Sequence, residues 1–368
     1  MYGDNVALLG IMPYLEILGV EPFFITPSKG PFTDILTKNN YLFEVIPFGH
    51  DIYNKNYRIK DWLHFFKGYF NVLRRFKNFR RGIQIAKEFG PSIIHTNCST
   101  SCWGLKISKS LGVIHVMHLR EYMDLDHNYE YFPTRNNFIK KLNSPLNYCI
   151  SITPDIQQYF SKIKNNTVIY DGIFDGEKPE INEKRENLIL FVGRLVETKG
   201  VEEVIKAFCE IDLQNYKLVI AGSGNHNYVN YLKKIAIAFK KQNDIKFLGY
   251  QSDVYSLMQK CKALIVASRF EAFGFITAEA MYNGCLVIGK NLAGTKLQMD
   301  IVSNILGPES CIRYNKFSEL KTGLSSIISK EAVFSKYRKP LQSFLYDYFN
   351  KEKSANQVYN YYSEILLK

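Results

Sequence analysis

Short runs rich in β-branched and aromatic residues alternate with helical patterns along almost the whole chain. That alternation constrains the fold more than any other feature. It calls for parallel sheets with helices on both faces, because each strand returns to the same sheet through a helix. The first half predicts strands over 22–26, 43–47, 92–96, 113–118, 147–152 and 167–170, with helices near 5–18, 31–39, 58–88, 100–110 and 154–162. The second half predicts strands over 188–192, 217–221, 246–248, 263–267 and 286–289. Its helices fall near 200–209, 227–241, 252–260, 274–283 and 318–328, and further helical patterns run from about 331 to 367. A polar stretch over 171–187 reads as a linker. The expectation is two Rossmann-like domains, 1–172 and 173–368, with parallel sheets facing across a cleft.

The length of 368 residues suits two cores better than one. With 46% hydrophobic and 22% charged residues the chain is globular. No apolar run reaches the ~18 residues of a membrane span. No basic-then-apolar leader follows Met1, so the chain is expected to be cytoplasmic. The seven cysteines are scattered, as reduced core thiols are. Cys98 and Cys102 have no second ligand pair nearby, and no metal is expected.

One absence stands out. A Rossmann-like domain opens on an apolar strand, a Gly-containing turn and a helix. Here Tyr2-Gly3-Asp4-Asn5 resembles that turn without its strand. Either the chain is truncated at its start or the first sheet lacks a central strand, and truncation is the expectation, because losing such a strand would unpair both neighbours.

The net charge of +12 implies an anionic partner. Between positions 55 and 87 lie ten Lys and Arg against a single acid, Asp61. Trp62, Phe65, Phe66, Tyr69, Phe70, Phe76 and Phe79 are interleaved with them. This pattern over 58–88 fits a helix docked on an anionic membrane surface, and equally a helix with its aromatic side in the core and its cations in water. Nucleic acid is not expected, since no recognised module accompanies the charge.

Two segments carry chemistry. In Gly193-Arg194-Leu195-Val196-Glu197-Thr198-Lys199-Gly200, a strand ends at Gly193, where backbone can approach a ligand. Two cations five residues apart then flank the turn into a helix and can converge on a diphosphate. In Glu271-Ala272-Phe273-Gly274-Phe275-Ile276-Thr277-Ala278-Glu279, one carboxylate lies in the turn and the other in the following helix. The backbone N–H groups opening that helix can bind an anion, and the carboxylates can accept bonds from sugar and ribose hydroxyls. Taken alone, the two cations read as solvated loop charges; the second segment makes the pattern specific.

With Ala221-Gly222-Ser223-Gly224 and Ala293-Gly294-Thr295, these segments resemble glycosyltransferase family 4, the retaining nucleotide-sugar transferases of GT-B fold. The resemblance covers the second half. In the first half Gly3, the 27–32 segment and His118-Leu119-Arg120-Glu121 look like features of bacterial polysaccharide members. It implies that Arg194 and Lys199 hold the donor diphosphate, that Glu279 binds the ribose and that Glu271 contacts the transferred sugar. Phe273, Gly274 and Phe275 would present backbone donors, with Gly193 close to the ligand. Gly222 and Gly224 would leave space for the nucleotide, and Gly3 would border the phosphates. His118 would face the reacting sugar, although a satisfied histidine at a strand end fits the same residue. Many members carry a Glu where this chain has Lys296-Leu297-Gln298.

The resemblance further implies a metal-independent hexosyl transfer, without a cofactor, to a glycan or lipid-linked acceptor at the inner face of the membrane. Asp124-Leu125-Asp126 resembles a metal motif of the other glycosyltransferase fold but falls in the wrong domain. Three rivals remain: a nucleotide-sugar epimerase, an NAD enzyme and a non-catalytic relic. The epimerase lacks acid–base candidates beyond Glu271. The NAD enzyme lacks its Gly-x-Gly-x-x-Gly. The relic would keep intact Arg194, Lys199, Glu271 and Glu279 without using them.

Overall fold

A computed structural model describes residues 3–55 and 62–368, and side chains outside 62–75. The chain forms two compact units, 1–172 with 351–368, and 173–350.

The second unit is a six-stranded, all-parallel sheet. Its spatial order is Ile245–Gly249, Lys217–Ala221, Glu186–Val192, Cys261–Val266, Leu286–Lys290, Ile312–Tyr314. Numbered along the chain this is 3-2-1-4-5-6, the doubly wound order. The inner strands are continuous apolar runs, such as Leu264, Ile265 and Val266, because helices cover both faces. The order reverses between Glu186–Val192 and Cys261–Val266, and there the crossovers leave the carboxyl ends of two neighbouring strands uncovered.

The first unit holds a four-stranded parallel sheet, Ile93–Thr96, Ile114–Leu119, Asn147–Ser151 and Asn166–Val168 in that order. A separate parallel pair, Phe23–Thr26 with Leu42–Val45, completes its parallel strands. Among the described residues no ladder joins the two sheets. The short antiparallel pair Ile52–Asn54 with Tyr129–Tyr131 has no counterpart in the sequence reading. The first helix spans Gly3–Ile17, so Gly3 and Asp4 lie in its first turn rather than in a preceding loop.

Two expectations need correction. The last eighteen residues, assigned by sequence to the second domain, belong to the first unit. Ala355, Val358 and Ile365 of helix Lys351–Leu366 pack with Ile11, Met12 and Leu15 and with sheet residues Val116 and Ile150. An apolar stripe at helical spacing needs a partner, and the first unit's opening helix supplies it. The 171–187 stretch is also no plain linker. Phe174 stacks on Tyr282 at 4.0 Å, and Ile173 and Ile181 are buried. Arg185, 9% exposed, donates to the carbonyls of Met258, Cys261 and Asn283. Polar composition hid these few anchoring side chains.

The aromatic basic segment does form a helix, Trp62–Phe89. Its side chains at 62–75, with most of the aromatic face, lie outside the described ones. In the described part, Phe79 meets Trp103 edge-on while Phe76 is exposed under Arg80. Arg81 pairs with Glu44. No described helix is long and apolar enough to cross a membrane.

Candidate functional site

The loops at the second unit's reversal point carry the residues singled out from the sequence. After strand Glu186–Val192 the chain makes a 3₁₀ turn at Glu197–Lys199, passes Gly200 and enters helix Val201–Cys209. After Cys261–Val266 it runs through Glu271 to helix Phe275–Tyr282. The backbone N–H of Arg269 donates to the Thr198 carbonyl at 2.9 Å and fastens one loop to the other. Lys199 Nζ then meets Glu271 Oε1 at 2.5 Å, with both side chains partly buried. Arg194 is exposed and has no ion pair among the described residues.

The second loop is held from behind. The Glu271 carbonyl accepts the Gly294 N–H at 2.8 Å, and the Phe273 carbonyl accepts Gln298 Nε2 at 2.6 Å. Phe273 is buried against Phe275 and Phe349. Gly274, in the left-handed region with φ +80°, begins helix Phe275–Tyr282, and no side chain caps that end. The helix start therefore offers unclaimed N–H groups and a positive dipole end. The buried hydroxyls of Thr277 and Thr295 have no hydrogen-bond partner, and the Thr277 hydroxyl and the Thr295 backbone nitrogen lie beside this turn. A helix start of this kind is able to bind an anion. Glu279 lies deeper in the helix and accepts the Tyr255 hydroxyl at 3.2 Å. Burial raises its pKa, and the Tyr255 bond partly offsets that.

At Gly222 and Gly224, expected to leave space for a nucleotide, the neighbouring backbone comes close. The Gly193 N–H donates to Ala221, and the Leu195 N–H to Ser223 at 2.8 Å, so the two strand-end loops run side by side. A Cβ at Gly222 would lie 1.8 Å from the Gly193 carbonyl oxygen, and one at Gly224 2.2 Å from that of Leu195. The space these glycines leave is filled by the neighbouring loop. Their first service is to let the Arg194 loop seat.

In the first unit, His118 lies near the end of strand Ile114–Leu119 and is 3% exposed. Its Nδ1 is 3.2 Å from His95 Nε2 and 3.3 Å from Arg120 Nη2. Its Nε2 has no partner, so the ring is satisfied on one side alone. Burial and then the Arg120 charge push its pKa well below the ordinary range, so the ring is neutral. Arg120 is fixed by the Asn97 carbonyl at 3.0 Å and by the Asp171 carboxylate. Asn97 in turn donates to the Asp4 carbonyl at 3.1 Å. One asparagine thus ties the helix start at Gly3 to the His118 group.

Asp4, Cys98 and Glu121 place their ligand atoms within 4.8 Å of one another, the only such trio among the described residues. Burial, then Asp4 and Asp126, push Glu121 up to about 8, and burial pushes Cys98 up to about 12. Both therefore hold their protons at neutral pH. Asp124 and Asp126 are engaged locally: the first accepts the Tyr159 hydroxyl, the second the Tyr122 N–H at 2.9 Å. The sequence reading missed Tyr255, Thr277, Gln298, His95 and Tyr362. Of these Thr277 lies inside the Glu271–Glu279 segment and Gln298 just beyond Ala293-Gly294-Thr295, but neither had been given a role.

Two α/β units with parallel sheets, the second in doubly wound order with a cation–carboxylate pair at its reversal point, have the architecture of the GT-B fold. Comparison with known proteins supports that class. Residues 174–300 match the family of glycosyl transferases group 1. An uncharacterized glycosyltransferase of Methanocaldococcus jannaschii is 27% identical over 268 residues, 69% of this chain and 70% of that protein. A second from the same organism is 29% identical over 55% of this chain and 51% of its own length. Among solved structures, Anabaena HepE in complex with UDP aligns with TM-score 0.75 at 18% identity, covering 99% of this chain and 96% of that one. The lipopolysaccharide outer core galactosyltransferase WaaB aligns with TM-score 0.69 at 17% identity, covering 97% and 95%. The fold is GT-B, and the family match supports a nucleotide-sugar glycosyltransferase.

Proposed function

We propose that this chain is a retaining glycosyltransferase that moves a hexose-type sugar from a nucleotide-diphosphate sugar to a glycan or lipid-linked acceptor in surface polysaccharide synthesis. The observation that carries the reading is the Lys199–Glu271 pair beside an uncapped helix start at the reversal point of a doubly wound sheet. Relatives point the same way. HepE has been solved with UDP-glucose, and a Campylobacter jejuni N-acetylgalactosaminyltransferase acting on an undecaprenol-linked glycan is 29% identical over 39% of this chain.

In this reading Arg194 and Lys199 take the donor diphosphate, with the N–H groups at Gly274 and Phe275 as further donors. Glu271 binds hydroxyls of the sugar and Glu279 those of the ribose. Gly193 lets backbone approach the donor, Gly3 borders the phosphates from its helix start, and His118 donates to a sugar oxygen. Attack comes from the face that the phosphate leaves, through an oxocarbenium-like state, and the departing phosphate takes the acceptor's proton. No second carboxylate is assigned as nucleophile, in contrast with the retaining hydrolases. Charge growing on the leaving group is met by Arg194, Lys199 and the helix dipole, each removal costing about 3 kcal/mol. These cations supply the positive charge without a metal or cofactor. The basic helix docks the protein on an anionic inner membrane face.

The test is a thermal-shift panel with UDP, GDP, ADP, TDP and NAD. A ligand at about 100 times its Kd adds roughly 2.7 kcal/mol of stability. A shift with one nucleoside diphosphate, lost in Arg194→Ala, upholds the reading and names the base. A cooperative melt that none of the five moves, or NAD alone moves, overturns it.

A further inference from the structure

The unpartnered nitrogen of His118 has a definite protonation state, and three neighbours fix it. Arg120 carries donors only, and its Nη2 lies 3.3 Å from His118 Nδ1. That Nδ1 must therefore accept and bear no proton. His95 Nε2 lies 3.2 Å from the same atom, so it must donate. A neutral His95 that donates from Nε2 has a bare Nδ1, and that atom faces the Tyr362 hydroxyl, which donates to it. Burial and the nearby Arg120 charge push His95 down to about 3 and His118 well below its usual range, so neither ring takes a second proton. The proton of His118 is left on Nε2, a buried donor without a partner.

We infer that Tyr362 and His95 are positioning residues that hold His118 as a neutral Nε2–H donor for an oxygen of the bound sugar. The identity of that ligand rests on the proposed transferase function; the proton arrangement does not. A neutral imidazole N–H suits a hydroxyl or ring oxygen, whereas a phosphate would favour a charged ring. Tyr362 acts from helix Lys351–Leu366, 267 residues beyond His95. Without its hydroxyl, His95 can move its proton to Nδ1. Two bare nitrogens would then oppose each other and loosen the His118 ring. This is the outer-shell control of an imidazole that metal sites use, here without a metal.

The experiment uses the full chain with ¹⁵N-histidine, and reads ring nitrogens by long-range proton–nitrogen correlation without ligand. His118 is expected as the Nε2–H tautomer with no titration between about pH 5 and 8. Tyr362→Phe should bring the His95 nitrogens towards averaged shifts and move His118 Nδ1. His95→Leu should remove one donor to His118, and His95→Gln, whose amide can donate, should restore it. With UDP-glucose, GDP-glucose or ADP-glucose, whichever is hydrolysed, Tyr362→Phe and His95→Leu should lower kcat about tenfold at nearly constant KM, with Gln recovering most of it. A wild-type His118 protonated on Nδ1, or titrating near its ordinary value, overturns the inference. So does a Tyr362→Phe protein with unchanged ring shifts. Expected shifts in a wild type that neither binds nor hydrolyses any of the three sugars would uphold the proton network and overturn the functional reading.

Discussion

Lys199 and Glu271 stand 2.5 Å apart although 72 residues of chain separate them. Each closes the mouth of one of the two central strands, and each holds the other's charge. In the proposed function a donor diphosphate competes with Glu271 for Lys199. Glu271→Gln should therefore bind the free nucleoside diphosphate several-fold more tightly, yet transfer sugar about a hundredfold more slowly. Isothermal titration beside steady-state rates reads both. Weaker nucleotide binding in Glu271→Gln would show that the pair organises the loop and does not hold Lys199 back.

The proposed ribose contact can be tested apart from the proposed diphosphate contact. Glu279 accepts from the Tyr255 hydroxyl and is otherwise buried. Glu279→Gln should erase most of the preference for a ribonucleotide over its 2′-deoxy form, about tenfold or more for a bond to a charged group. Competition between UDP and dUDP measures it, or between the corresponding pair for whichever base binds. An undiminished preference would move the ribose elsewhere.

Gly222→Ala tests how the two strand-end loops abut. The new methyl would stand 1.8 Å from a backbone oxygen, which cannot swing aside as a side chain can. The residue also has φ +156°. A loss of about 1–3 kcal/mol is expected by chemical denaturation, with Arg194 displaced and nucleotide binding weakened. Stability within about 0.5 kcal/mol of wild type would contradict the packing described.

Much of this was legible beforehand, and what escaped did so for physical reasons. Arg194, Lys199, Glu271 and Glu279 sit at fixed offsets from strand ends, so local pattern reveals them. Helix Ala293–Leu306 went unseen because no side chain caps it and a glycine is its second residue. Strand Ile312–Tyr314 is three residues long, too short to show a period. The stripe of Ala355, Val358 and Ile365 is readable as a helix face, but which domain receives it is a tertiary choice. Tyr362 and His95 meet only through that choice, so no spacing rule could join them.

Glu121 gives a pH prediction. Burial, then Asp4 and Asp126, raise its folded-state pKa from 4.5 to about 8. Between those values the unfolded chain has released a proton that the folded chain keeps. Stability contributed by this group therefore falls as pH rises through that window. Glu121→Gln, which cannot ionise, should gain in Tm relative to wild type from pH 5 to 8. A difference that is flat across that range would mean Glu121 ionises normally.

The membrane proposal predicts salt-sensitive binding to vesicles containing anionic lipid. Lys77, Arg80, Arg81 and Lys87 are exposed on the described part of the helix, and Arg74 and Arg75 lie outside the described side chains. Changing Arg74, Arg75, Arg80 and Arg81 together to Gln should remove roughly 1 kcal/mol per contacting charge. Sedimentation with such vesicles reads it, and unchanged binding would leave the helix as a core element alone.

The return of helix Lys351–Leu366 to the first unit has a consequence for synthesis on the ribosome. Residues 173–350 are contiguous, and that unit can fold as soon as it has emerged. The first unit is translated earlier but shares its core with Ala355, Val358 and Ile365. It must wait, with the face of helix Gly3–Ile17 uncovered, until nearly the whole chain has been made. The half translated first is thus the half completed last, and for that interval it is the part of the molecule most in need of a chaperone.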